Sequence, residues 1–447
     1  MEPETFTETS ANDRSQPILN QEHAALIGLA YRYALPLYEV ARLRYALQFD
    51  PLRPHHLPPN QLFHKRNLAT SEDRFVTTPN ADTLYSIAIL DLREGSVCID
   101  VPDMAGRYYS VALVDAYTNV FAYIGRRTTG TQMASYLLLG PGNDNAPEHS
   151  VSVLRAPTPL VVMLVRILVN GPNDIEAAHH LQDGFRLTAP AGTAEHNTPI
   201  APFSDSGENF VVVVNEALTE NPPPPADEPV LRRIGEVGIG PHAISLNPEL
   251  RQAWNDYFPQ VQRALAEIAK SRRQLGGGHR GAEIVNGWIY PPTDKGNYGT
   301  DYDMRALIAL AGLFAHRREE NMAVGAVTDS EGRPFDHDHR YRLRLPAQMP
   351  VDGFWSLSIY SVESDGRRFF QDNPMNRYAI GDRTPGLRRN PDGSLDILIQ
   401  RETPPAEEMS NWLPMPAGPF HLGLRNYQPR AELLEGRFHY PAIERID

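Results

Sequence analysis

Short β-suited runs closed by Gly, Pro or Asn occupy two separate stretches of this chain, and a stretch of helical periodicity lies between them. Residues 97–101, 108–113 and 160–165 are such runs in the first stretch, and their texture is that of a β-sandwich. In the second, residues 341–345 alternate strictly, 395–399 follow the turn signal Asp392-Gly393, and 420–424 close the series. The expected architecture is mainly β with α: two β-sandwich, jelly-roll-like domains with a helical N-terminal segment and a helical connecting region. The expected divisions are a flexible arm over 1–18, a helical segment over 19–50, a first sandwich over 51–190, a helical connector over 191–322 and a second sandwich over 323–447.

Helical punctuation supports the middle. Asn173 or Asp174 can cap a helix reaching His180, and residues 209–220 form another that the prolines of 222–225 stop. Residues 247–275 are a longer candidate, interrupted at Pro259 and ended by three glycines at 276–278. Thr300 with Asp303 three residues on reads as an acidic variant of the capping box. Near the start, residues 21–49 are helical in period, and Pro36 is expected to kink or divide them. Arg32, Glu39, Arg42 and Arg44 interrupt the apolar positions, which argues against a membrane span.

One eight-residue pattern occurs twice. Gly106-Arg107-Tyr108-Tyr109-Ser110-Val111-Ala112-Leu113 echoes Asp352-Gly353-Phe354-Trp355-Ser356-Leu357-Ser358-Ile359, and both run on to an Arg-Thr pair. Two related sandwiches would explain the echo, as would chance recurrence of aromatic-aromatic-Ser before strand residues.

Charge and cysteine usage narrow the function classes. The 447 residues carry a net charge of -13 with a pI near 5.6, which disfavours a phosphate backbone or an anionic membrane as the main partner. The single cysteine, Cys98, reads as strand interior and excludes an intrachain disulfide and a multi-cysteine zinc site. The first residues are acidic and polar where an export signal needs a basic start and an apolar run, so a cytoplasmic setting is expected.

Three constellations could carry chemistry. His64, Asn80, Asp82, Thr83 and Tyr85 join Asp115, Tyr117, Thr118 and Asn119 at strand borders, where a rigid sheet presents polar groups to a ligand. A carboxylate there can act as general base, a phenol can give a proton or stabilise an oxyanion, and an amide can fix a carbonyl. Asn and Asp also make turns, and Thr and Tyr satisfy nearby backbone. In the second constellation Asp301, Tyr302 and Arg305 share one face at a helix start, either as an anion site or as a capped, ion-paired terminus. The third runs from Asp372 to Gly386, where Asn376, Arg377, Asp382 and Arg383 suit bidentate capture of a carboxylate or a loop pinned by its own Arg–Asp pairs.

Other chemistries find less. His337-Asp338-His339 offers two metal ligands in what reads as an exposed turn, with a third needed from afar. There is no phosphate loop, no Gly-x-Gly-x-x-Gly after a strand and no Gly-x-Ser-x-Gly elbow, so no cofactor is expected.

Taken in order, Thr78 to Ser86, Gly106 to Ser110, Asp115 to Ala122, His180 to Gly184, Asn297 to Tyr302, Asp352 to Leu357, Asn376 to Tyr378, Gly381 to Gly386 and Asn411 to Pro414 resemble a known bacterial pair. That pair is domain of unknown function 1254, toward the N-terminus, followed by domain of unknown function 1214. The resemblance runs from about residue 30 to the end. It implies two β-sandwiches with helices around and between them, and it carries no agreed reaction. Many relatives have an export signal that is not visible here. The polar groups above fall in the family's signature segments, which favours a shared pocket using Asn80, Asp82, Tyr85, Tyr302, Arg305 and Arg377.

The leading expectation is an acid–base enzyme, of hydrolase, lyase or isomerase type, acting on a small polar molecule of specialised metabolism at the junction of the sandwiches. Asp82 would be the base, with Tyr85 or Tyr302 as proton donor. Asn80, Asp115, Tyr117, Asn119, Arg305, Asn376, Arg377 and Arg383 would bind substrate, without nucleic acid or membrane insertion; a homo-oligomer is compatible. The rival is a non-catalytic sugar-, lipid- or glycan-binding protein with Tyr108, Tyr109, Trp355 and Trp412 as apolar platforms, and a metalloenzyme is third.

Overall fold

The structure is a computed structural model that describes residues 15–52, 55–74, 76–143, 152–190, 205–274 and 283–447. Four sheets form two β-sandwiches, and a layer of helices covers the first of them. In the first sandwich a five-stranded antiparallel sheet runs Phe63–Lys65, Thr83–Asp91, Leu160–Leu168, Tyr109–Asp115, Val120–Gly125. It packs on a sheet ordered Ser152–Arg155, Ala134–Leu139, Val97–Val101, Arg186–Thr188. Leu84, Val111, Met163 and Val165 meet Ile99 and Leu138 in this core. The opposite face of the large sheet presents Ile89, Ala112, Val114, Val162 and Leu164 to the helices. Covered on both faces, Leu160–Leu168 is buried throughout, and it is apolar at every position except Arg166.

The covering helices are Ser15–Gln48, Gly207–Glu220, Glu228–Gly235, Pro248–Gln274 and Tyr302–Gly312. Ile27, Leu37, Phe210, Trp254 and Phe258 supply their buried side. Residues 1–14 of the expected arm lie outside the described residues, and the first helix already runs from Ser15, ahead of the boundary expected for it. Pro36 and Pro259 fall inside single helices instead of ending them. Packing of both helices against neighbours offsets the lost hydrogen bond, a local cost of about 3 kcal/mol. The last helix is capped by Asp301, whose side chain accepts from the Met304 amide at 2.9 Å, one residue later than the expected Thr300. The glycines at 276–278 lie outside the described residues.

The second sandwich repeats the first. Its large sheet runs Glu283–Val285, Trp288–Tyr290, Asn321–Ala326, Phe420–Tyr427, Trp355–Val362, Arg368–Phe369, with Ala379–Gly381 also on Trp355–Val362. Its small sheet runs Trp412–Pro414, Leu395–Gln400, Tyr341–Leu345, Glu444–Arg445. In each large sheet the last long strand lies between the first long strand, Thr83–Asp91 or Asn321–Ala326, and the echo strand. In each small sheet one pair is parallel, Ala134–Leu139 with Ser152–Arg155 and Leu395–Gln400 with Trp412–Pro414. The registers agree as well: Ser110 sits opposite Arg166 and Gly125, and Ser356 opposite Arg425 and Gly381. Both glycines are required by close approach, since a Cβ would lie 2.7 Å from the Tyr109 carbonyl at Gly125 and 2.5 Å from the Trp355 carbonyl at Gly381. The echo in the sequence therefore marks two copies of one eight-strand unit.

The copies meet with reciprocal contacts. Arg127 of the first reaches Glu320 at 2.7 Å, and Arg383 of the second reaches Asp82 at 2.9 Å. Asp82 stands just before the Thr83–Asp91 strand and Glu320 just before the equivalent Asn321–Ala326 strand, and each arginine two residues after the required glycine. Between the pairs, Tyr108, Phe354, Leu168 and Tyr427 form an apolar plug in which the Phe354 and Tyr427 rings stack at 3.9 Å.

Candidate functional site between the sandwiches

Asn80 organises the junction. Its Oδ1 accepts the Asp82 amide at 2.8 Å, a local turn, and its Nδ2 faces Thr83 Oγ1 at 2.9 Å, the Tyr427 hydroxyl at 3.0 Å and the Tyr85 hydroxyl at 3.2 Å. One amide from the first sandwich thereby holds two phenols, one from each. Tyr85 lies directly opposite Arg166 in the sheet, and the guanidinium carbon stands 5.1 Å from its ring centre. Burial raises the pKa of the Tyr85 phenol, but the charge and hydrogen bonding of Arg166, aided by Asn80 and Arg425, bring it below its ordinary value. Burial drives Tyr427 the other way, above its ordinary value.

Arg166 is buried, with 7% of its surface exposed, and its Nη1 has no hydrogen-bond partner among the described residues. Both terminal nitrogens of its counterpart Arg425 are engaged. Arg425 Nη1 donates to Ser358 Oγ at 2.9 Å and to the Tyr360 hydroxyl at 2.6 Å, and Nη2 to the carbonyls of Thr78 and Pro79 at 2.8 and 3.2 Å. The two arginines occupy equivalent positions, and the difference lies in what covers them. Residues 77–80 close over Arg425, whereas Arg166 shares its surroundings with Tyr123, His316 and Lys295.

His316 places Nδ1 3.1 Å from the Tyr123 hydroxyl, while Nε2 is buried without a partner among the described residues. Burial, then the charges of Arg166, Lys295 and Arg127, hold this imidazole neutral by pushing its pKa well below 6.5. Lys295 is half-buried, and no hydrogen bond or ion pair reaches its Nζ among the described residues. Burial and the neighbouring Arg425, Arg166 and Arg318 lower its pKa to about 8. Its loop is pinned to the large sheet where the Val120 amide donates to the Gly296 carbonyl at 2.8 Å. Positive groups thus outnumber free negative ones here, since Glu320 and Asp82 are each held by an arginine. Such a surplus of positive groups is suited to an anion.

The residues singled out from sequence fall into three places. Asn80, Asp82, Tyr85 and Arg383 line the junction. Asp82 is ion-paired there, with Oδ2 buried and unpartnered among the described residues, and Arg383 also lies 4.1 Å over the Phe354 ring. Asp115, Tyr117, Asn119, Tyr302 and Arg305 gather instead beneath the helices, where a cavity of about 230 Å³ is lined by Asp115, Asn119, Asp227, Asn297, Thr300 and Arg305 among others. Arg305 is enclosed by Tyr33, Tyr117 and Tyr302, whose ring centres lie 5.3, 5.5 and 5.1 Å away. The Tyr302 and Tyr33 hydroxyls donate to Asp227 at 2.8 and 3.0 Å, and the Tyr117 hydroxyl to the Asn221 carbonyl at 2.7 Å. Asp115 accepts the amides of Tyr117 and Asn119 at 2.9 and 2.8 Å, and burial raises its pKa to about 6 against the hydrogen bonds of Asn119 and the charge of Arg305. Asn376 and Arg377 sit in a third place. Arg377 Nη1 donates to the carbonyls of Met409 and Trp412, both at 2.8 Å, and so ties two loops together, and Asn376 holds a left-handed turn at φ 48.

His64 faces Ser86 Oγ at 2.7 Å, beside Gln182, which also reaches Ser86 Oγ. Cys98 lies in the Val97–Val101 strand, half-buried, and burial and Asp100 raise its thiol pKa. Asp336, His337 and Asp338 bring ligand atoms within 4.8 Å of one another on a turn in which the two aspartates are exposed. Sequence reasoning passed over Arg166, Lys295, His316 and Tyr427. Two signals were available. Arg166 is the one charged residue in Leu160–Leu168, and Lys295 is one of only three lysines in a chain with 42 lysines and arginines.

A duplicated sandwich with a cationic junction is the class that fold and site define. Residues 59–189 match the family described as Protein of unknown function (DUF1254), and residues 320–431 that described as Protein of unknown function (DUF1214). The chain belongs to the family that pairs these two domains. The crystal structure of the VPA0106 protein from Vibrio parahaemolyticus is similar in fold, with a TM-score of 0.71 and 22% identity over 95% of this chain and 100% of that one. An uncharacterized protein from Burkholderia cenocepacia aligns with a TM-score of 0.45 and 12% identity over 97% and 95%. No curated protein matches the chain. No helix among the described residues is long and apolar enough to cross a membrane.

Proposed function

We propose that this protein is an enzyme that binds a small organic anion between its two sandwiches and acts on it by acid–base chemistry. The observation that carries this reading is the inequality of the two equivalent arginines: Arg425 is satisfied by protein, and Arg166 holds Nη1 buried without a partner among the described residues. An unpaired buried donor costs about 1–3 kcal/mol, more when charged, and a ligand carboxylate would remove that cost. With the anion on Arg166, Tyr85 is the proton-transfer group, because its phenol is the acidic one of the pair held by Asn80. Asp82 orients the junction through Arg383, and Tyr302 belongs to the cavity beneath the helices. Proton removal beside a carboxylate is a step shared by hydrolase, lyase and isomerase chemistry.

The test is mass-spectrometric profiling of a host small-molecule extract incubated with wild type and with Tyr85→Phe. A product formed by wild type and lost in a Tyr85→Phe protein of unchanged melting temperature supports the reading. A compound retained by the protein but never converted favours the binding-protein alternative. A product formed equally by both removes Tyr85 from the mechanism.

A further inference from the structure

The cavity beneath the helices holds charges that the junction reading leaves unused. Asp115, Asp227 and Arg305 form its floor, each at most 5% exposed, and Arg317 lines its wall. The rim residues Pro224, Ala226 and Thr300 are exposed, on the loops that precede the Glu228–Gly235 and Tyr302–Gly312 helices. Two carboxylates and two guanidinium groups lining one space would ordinarily pair across it, yet none of the four makes an ion pair among the described residues. Arg305 is held instead by the faces of Tyr33, Tyr117 and Tyr302. Its guanidinium makes one hydrogen bond among the described residues, from Nη2 to the Tyr33 carbonyl at 3.4 Å, and its Nε is buried without a partner there. Arg317 Nε is likewise buried and unpartnered among them. Asp227 takes one phenol on each oxygen, Tyr302 on Oδ1 and Tyr33 on Oδ2, so each oxygen keeps a lone pair for a second donor.

We propose that this cavity binds a zwitterionic amino acid, with its carboxylate on Arg305 and Arg317 and its ammonium on Asp227 and Asp115. A ligand with a single charge would satisfy one half of the lining and leave the other half buried without a counter-charge. A molecule that carries both signs bridges the two halves at once. A cavity of about 150 Å³ takes benzene, so one of about 230 Å³ takes roughly nine non-hydrogen atoms by proportion, the size of L-leucine. Phe121, Pro224 and Ala226 in the lining offer apolar surface to such a side chain. This second site does not rest on the anion reading of the junction, and no bond is made or broken in it.

The experiment titrates the whole protein calorimetrically with L-valine, L-leucine and L-methionine, and then compares the tightest of them with the amine that lacks its carboxyl group and the acid that lacks its amino group. The same amino acid is titrated into Arg305→Gln and Arg166→Gln proteins whose circular dichroism matches wild type. The expected result is saturable binding of the amino acid, with each single-charge analogue weaker by about tenfold or more, as the loss of a charged hydrogen-bonding partner dictates. Arg305→Gln should lose the binding and Arg166→Gln should keep it. If Arg305→Gln does not fold, Arg317→Gln replaces it and should weaken binding by the same order, since Arg317 Nε bonds nothing among the described residues. An acid bound as tightly as its amino acid removes the ammonium contact and overturns the proposal. Binding lost in Arg166→Gln and kept in Arg305→Gln moves the ligand to the junction and overturns it as well. No binding of any of the three at millimolar concentration overturns it outright and leaves the junction reading standing.

Discussion

Single side chains decide the junction, and two of them carry a pH signature. Lys295 has a pKa of about 8 in the fold against about 10.4 unfolded. Between those values the unfolded chain binds the extra proton, so this residue's contribution makes stability rise with pH across that window. Below pH 8 Lys295 destabilises the fold by about 2 kcal/mol after discounting for its partial exposure. Lys295→Met should therefore be more stable than wild type at pH 7, and the gap should close by pH 10.5 in denaturant titrations. Asp115 runs oppositely in pH: its carboxyl is raised to about 6 from 3.8, the native state binds the extra proton in between, and stability falls as pH rises through that window. A wild-type stability profile flat from pH 4 to 6, with Asp115→Asn indistinguishable from it, would refute this assignment. The sequence displayed Asn80, Asp82 and Tyr85 as a polar run, but it could not say that Arg166 and Lys295 stand beside them. Their proximity depends on strand pairing and on a loop about two hundred residues downstream.

At the scale of elements, the strands were legible because alternation and turn residues are local signals, and the edges of 341–345 and 97–101 fall where the residues put them. Helix ends were less so. Pro36 reads as a kink or a division and Pro259 as an interruption, yet each lies inside a single helix, and Asp301 takes the capping role that Thr300 was expected to fill. The glycines of the paired strands are sharper. Gly381→Ala would drive a Cβ to 2.5 Å from the Trp355 carbonyl and should cost about 2–3 kcal/mol, read as a lower denaturation midpoint. Gly142, with open space around its Cβ position, offers a comparison site whose alanine variant carries only the strain of its own φ of 72. Equal losses at the two sites would contradict the close-approach argument.

Over the whole molecule, duplication explains both the fold and the asymmetry of the site. The eight-residue echo hinted at it, but sequence divergence hid the rest: Tyr85 in the first copy corresponds in register to Ala323 in the second, and Tyr123 to Ala379. One copy has thus kept large polar side chains around its arginine where the other has alanine. The reciprocal pairs Asp82–Arg383 and Glu320–Arg127 hold the copies together, with Arg383 only 20% exposed. Asp82→Asn removes one of the two carboxylates paired with Arg383, the other being Asp382 at 2.9 Å, and should cost about 1 kcal/mol, whereas Asp352→Asn, in an exposed pair with Arg430, should change stability by less than that. The most direct test compares Arg166→Gln with Arg425→Gln by thermal and denaturant unfolding without added ligand. If Arg425 is a structural member and Arg166 is reserved for an anion, Arg425→Gln loses about 3 kcal/mol while Arg166→Gln is neutral or more stable. A loss at Arg166→Gln equal to or greater than that at Arg425→Gln would show that Arg166 too is satisfied within the protein, and the anion site would fall with it.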